Sequence, residues 1–100
     1  MKTEQGEILR VEGLGDIPAV VVSKNSFNEG EGVLLCPVVQ AEADNFLHIA
    51  INVKNCSGTV LCEQVRYIDL SRRGYKKIGI LSYEEIINIT DAIQSIVDYI

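Results

Sequence analysis

Gly58-Thr59-Val60-Leu61-Cys62-Glu63-Gln64-Val65-Arg66-Tyr67-Ile68-Asp69 is the stretch from which the fold follows. Thr59 to Cys62 and Val65 to Leu70 both have the β-branched, apolar content of strands, and an acid and an amide separate them. Two polar residues inside one strand pattern imply a kink or bulge at Glu63 and Gln64. Bulges re-aim side chains and gather beside active sites, so these two residues are candidates for function. Ser71-Arg72-Arg73-Gly74 then reads as a turn, and Lys76 to Leu81 as a short strand.

Upstream, the apolar period stays near two. Gly6 to Gly13 alternates Ile8, Leu9 and Val11 with Glu7, Arg10 and Glu12, as in a half-buried strand. Pro18 to Ser23 is a β-branched run with proline at its start, where the missing N–H does least harm. After a turn-rich segment from Lys24 to Gly32, Val33 to Val39 continues the pattern. From Phe46 to Val53, Leu47, Ile49, Ile51 and Val53 share one face, and Phe46, His48, Ala50 and Asn52 the other. Lys54 to Gly58 is expected to turn the chain into Thr59.

The period changes at Ser82-Tyr83-Glu84-Glu85, an S-x-x-E capping box with Leu81 and Ile86 placed as a hydrophobic staple. A helix should start there, with Ile86, Ile89, Ile93, Ile96, Val97 and Ile100 forming its apolar stripe. The expected architecture is therefore mostly β, with five or six strands in a small barrel and one C-terminal helix.

One hundred residues can bury one modest core, so a single domain over 1–100 is expected. No run of 18 apolar residues is present, and Lys2, Glu4 and Glu7 precede the first apolar run, so a cytoplasmic protein without a membrane span is expected. Cys36, Cys56 and Cys62 are odd in number and lack C-x-x-C spacing. They read as buried fillers, with neither a metal site nor a disulfide framework. No cofactor motif is present. Charge is uneven: Arg66, Arg72, Arg73, Lys76 and Lys77, offset by Asp69, give residues 66–77 a charge of +4, on a chain whose net charge is −5. Such a patch suits phosphates or an acidic peptide.

Four segments in order resemble the MazF/PemK toxins: Gly6 to Val11, Pro18 to Asn28, Gly58 to Asp69, and Lys76 to Ser82 with its helix. The third is the most specific, through Glu63-Gln64-Val65-Arg66-Tyr67-Ile68-Asp69. The resemblance implies an SH3-like barrel of the MazF/PemK/CcdB type. It also implies a homodimeric toxin of a type II toxin-antitoxin system that cleaves single-stranded RNA at short motifs and is silenced by a cognate antitoxin. The gyrase-directed CcdB type acts through a tryptophan-containing C-terminus; this chain has no tryptophan and ends Asp98-Tyr99-Ile100.

Metal-free RNA cleavage needs a base for the 2′-hydroxyl, donors for the phosphorane oxygens and an acid for the leaving oxygen. At the positions the family associates with catalysis, this chain carries Ile17 and Val39, neither of which transfers a proton. The remaining candidates are Glu63 as base and Arg66 as phosphate donor. Gln64, Lys24, Asn25, Arg72, Arg73 and Lys76 would bind RNA, with Tyr67 and Tyr75 available for stacking. His48, the single histidine, is expected to face solvent. Weakened or relocated catalysis follows. The alternative is a silent MazF-like protein that engages an antitoxin peptide or RNA without cleavage.

Overall fold

The computed structural model describes residues 3–97. Seven strands form: β1 (Glu7–Val11), β2 (Ala19–Val21), β3 (Gly32–Val39), β4 (His48–Val53), β5 (Cys56–Leu61), β6 (Arg66–Asp69) and β7 (Tyr75–Ile80). A single helix, α1 (Tyr83–Val97), closes the described chain. The spatial order is β4-β5-β3-β2-β1-β7, with β6 also paired to β3. All pairs are antiparallel. The expected barrel is present as a curved half-barrel whose ends are β4 and β7.

The centre of the sheet is covered on both faces, which is why its sequences read as continuous apolar runs. Ile8, Val20, Cys36, Val38 and Val60 point to one face, where Leu81, Ile89 and Ala92 bring α1 against them. Leu9, Val21, Val33, Leu35 and Ile68 form a second core on the other face. The alternation of odd and even residues along β1, β2 and β3 divides the two cores.

Helix α1 starts where its capping box dictates. Glu85 N–H donates to Ser82 Oγ at 3.2 Å, and Ser82 N–H donates to Glu85 Oε1 at 2.9 Å. The apolar stripe docks less far than its spacing implies. Ile89 is 1% exposed, but Ile96 is 46% and Val97 74% exposed, and Ala92 takes the buried position between Ile89 and Ile93. Ile100 lies outside the described residues.

Two boundaries differ from the sequence reading. The hairpin turn between β4 and β5 is only Lys54-Asn55, because Val53 pairs with Cys56. β5 therefore begins before Gly58, and Gly58 adopts φ +155° there, with Val39 O only 2.7 Å from where a Cβ would stand. Seven strands replace five or six because the stretch from Thr59 to Leu70 is interrupted and pairs as two.

Candidate functional site

The interruption falls at the expected kink. Val38 pairs with Val60 and Leu35 with Arg66, so Cys36 and Pro37 of β3 stand against five residues, Leu61 to Val65. The surplus closes into a turn, with Gln64 N–H donating to Leu61 O at 3.1 Å. This turn sends Glu63 and Gln64 to different surroundings.

Glu63 Oε2 lies 2.9 Å from His48 Nε2, and Asp44 Oδ1 lies 2.5 Å from His48 Nδ1. His48 is thus held between two carboxylates instead of facing solvent freely, and its side chain is 18% exposed. The hydrogen bond that His48 donates to Glu63, then the one it donates to Asp44, raises the pKa of His48. The same bond from His48 lowers that of Glu63. The contacts run through opposite ring nitrogens, so the three groups do not converge on one point; among the described residues no cluster of His, Cys, Asp and Glu has an arrangement that could hold a metal ion. Glu63 pairs with His48, not with Arg66.

Gln64 and Arg66 instead line a cavity of about 160 Å³ with Ile17 and Pro18. Across Ile17 and Pro18 the surface continues into a larger cavity of about 670 Å³, reached by Arg10, Val39, Gln40, Asn52 and Lys54. Ile17 and Val39, the positions expected to carry catalytic groups, thus meet in one groove. They contribute apolar surface among its polar and charged lining residues.

Arg10 and Lys54 were not legible as site residues. Arg10 sits in an alternating strand as an ordinary wet-face residue, and only the ladder shows that it stands directly opposite Lys76. A register shift after Ile8 sets that pairing: Ile8 opposes Gly79, but Leu9 opposes Lys77. The surplus residue is Ile78 of β7, and the shift brings Lys76 opposite Arg10.

The other expected contacts disperse. Lys24 and Asn25 lie beyond the end of β2 opposite to Ile17 and Pro18. Asn25 accepts a hydrogen bond from Gln5 N–H at 2.8 Å and borders a cavity shared with Glu4, Glu7 and Glu29. Lys24 borders a shallow pocket beside Thr90 and Gln94 of the helix. Arg73 donates from Nη1 to Glu12 O at 3.2 Å. Arg72 and Lys76 are exposed. Tyr67 stacks edge-on against Phe27 at 6.2 Å, and Tyr75 packs on the second core.

Residues 5–97 match the family described as PemK-like, MazF-like toxin of type II toxin-antitoxin system. No curated protein matches the chain. Among solved structures, a MazE-MazF crystal structure from Deinococcus radiodurans (Form-I) is similar with a TM-score of 0.86 at 18% identity, covering 97% of each chain. An endoribonuclease in complex with its cognate antitoxin from Mycobacterial species gives 0.83 at 16% identity, over 98% of this chain and 99% of that one. The Mycobacterium tuberculosis toxin MazF-mt6 gives 0.76 at 16%, over 93% and 99%. At such identities these likenesses show the fold.

Proposed function

The chain belongs to the PemK-like, MazF-like toxins of type II toxin-antitoxin systems, and from that premise we propose that it engages single-stranded RNA along the groove over Ile17 and Val39 and cleaves it weakly. The observation that carries this reading is the groove itself: about 670 Å³, lined by Arg10, Lys54 and neutral amides, with Asp16 as the one carboxylate among the lining residues. Cations there meet phosphates, and amides such as Gln40 and Asn52 meet base edges. Gln64 and Arg66 extend the same surface beyond Pro18.

Weak turnover follows from the apolar residues Ile17 and Val39. Removing one preorganised donor from a site of this kind costs on the order of 10²–10³ in rate, and Ile17 and Val39 vacate two positions. Glu63 is bonded to His48 and lines neither cavity, so serving as base requires that bond to open and the side chain to turn toward Arg66, which would act as phosphate donor. If the bond stays closed, the chain binds RNA without cutting it.

Homodimerisation is part of the proposal, because β4, β6 and β7 each leave one strand edge unpaired within the described chain, and exposed edges invite pairing. A cognate antitoxin would occupy the groove in the resting state, through an acidic segment suited to Arg10 and Lys54. A toxin that acts on messenger RNA works in the cytoplasm.

Incubation of purified protein with a long single-stranded RNA in the absence of magnesium tests the reading. Slow, site-limited fragments, reduced further by Arg66→Ala, support cleavage. Intact RNA with saturable binding supports the silent form. Absence of both fragments and binding refutes RNA as the ligand.

A further inference from the structure

Arg10 and Lys76 stand directly opposite one another in the β1–β7 ladder. Directly opposed residues of an antiparallel pair project from the same face, and like charges so placed are destabilising. Among the described residues neither makes an ion pair with a carboxylate. The next lysine behaves differently: Lys77 Nζ lies 3.1 Å from Glu7 Oε2. The fold therefore neutralises one base of β7 and leaves a pair of cations together beside the groove.

Arg10 is also fixed in position. Its Nη1 donates to the carbonyl oxygen of Asp16 at 2.5 Å, bridging from β1 to the loop that leads into Ile17. One edge of the guanidinium is spent on this bond, and its remaining N–H groups are available to a ligand. A rigid, planar fork beside a second positive charge suits the tetrahedral oxygens of a phosphodiester. Among the described residues Asp16 is the one acid lining the groove, and Arg10 bonds its carbonyl oxygen with no ion pair to its carboxylate, at the place where Ile17 and Val39 offer no donor of their own.

We propose that Arg10, backed by Lys76, is the phosphate anchor of the groove, gripping a non-bridging oxygen of the RNA backbone where the strand crosses Ile17 and Val39. The inference rests on the RNA reading above and adds to it the group that holds the backbone. Lys76 raises the local potential and takes a share of the phosphate charge. The asymmetry between Lys76 and Lys77 is then functional: one lysine is tied to Glu7 for the fold, and its neighbour is left for the ligand.

The test is fluorescence anisotropy of a labelled, mixed-sequence single-stranded RNA, titrated with wild type, Arg10→Ala and Arg10→Lys at several salt concentrations. Arg10→Ala is expected to weaken binding about ten- to a hundredfold, the range for a lost charge-assisted hydrogen bond. It should also flatten the slope of log affinity against log salt by about 0.7. Arg10→Lys should restore the slope but not the full affinity, because the charge returns without the fork. Thermal unfolding without RNA checks folding: Arg10→Ala should unfold no lower than wild type at low salt, since it relieves the repulsion with Lys76. Wild-type binding matched in affinity and slope by Arg10→Ala overturns the anchor and leaves the RNA groove standing. Absence of wild-type binding at low salt overturns the RNA reading and the anchor with it.

Discussion

Gly58→Ala should be among the most damaging single-atom-scale changes in the molecule, and its cost can be worked from the backbone. Gly58 sits in β5 at φ +155°, where side-chain-bearing residues are strained, and its new Cβ would lie 2.7 Å from Val39 O and 3.0 Å from Gln40 Nε2. Backbone strain of this kind costs about 1–3 kcal/mol. Relieving the overlap pushes β3 from β5 at the Val39–Thr59 pair and threatens the Gln40 Nε2 to Ser57 O bond of 2.7 Å, worth a further ~1 kcal/mol. A total of about 2–4 kcal/mol is a large share of the 5–15 kcal/mol typical of a domain. With a urea slope of about 1–3 kcal/mol per molar, the midpoint should fall by roughly 1–2 M at unchanged slope. Gly15→Ala is the control: φ is +72° there, with nothing within 4 Å of the new Cβ, so only the local conformational cost of about 1–2 kcal/mol applies. A Gly58→Ala midpoint no lower than that of Gly15→Ala would refute the close-approach argument.

Ile89→Ala, at the centre of the helix contact, should cost about 2–5 kcal/mol by chemical denaturation, whereas Ile96→Ala should stay within about 0.5 kcal/mol, since Ile96 is 46% exposed. The destabilisation caused by His48→Ala should depend on pH. The raised pKa of His48 makes its contribution full below about 6.5 and lost as pH rises through the folded value. The lowered pKa of Glu63 makes its contribution full above 4.5 and lost as pH falls through the folded value. The difference in urea midpoint between wild type and His48→Ala should therefore be largest between about pH 4.5 and 6.5, and a flat difference from pH 4 to 9 would contradict the double bridge. Burial pushes the Cys36 thiol up to about 12 and the Cys62 thiol to about 11. At pH 8 a thiol-disulfide reagent should leave both unmodified in the native protein and label them on unfolding; prompt labelling of either, read by mass spectrometry, would contradict their place in the core.

The capping box at Ser82 and Glu85, the opening of β2 at Pro18 and the break at Glu63-Gln64 were all legible, because each depends on residues within four positions of one another. The extent of helix docking was not. Ile96 and Val97 keep the helical period of Ile89, but whether they are covered depends on where the sheet beneath them ends. His48 was misjudged for a similar reason: the alternation of β4 places it off the core correctly, yet its two carboxylate partners come from the preceding loop and from a turn fifteen residues later. At the groove, Gln64, Arg66, Ile17 and Val39 could each be singled out from the chain. Arg10 could not, since its meaning lies in the residue across from it.

What the order of residues determined by itself is therefore everything local: a β-rich chain, the kink, the helix start, the family and the two apolar substitutions at expected chemical positions. Only the tertiary structure decided which charges meet. Strand register, shifted by one bulge after Ile8, set Arg10 against Lys76, and the three-residue surplus opposite Cys36 and Pro37 turned Glu63 toward His48 while leaving Gln64 beside Arg66. A one-residue change in pairing alters which side chains are neighbours without changing any local pattern, so no reading along the chain could have assigned them.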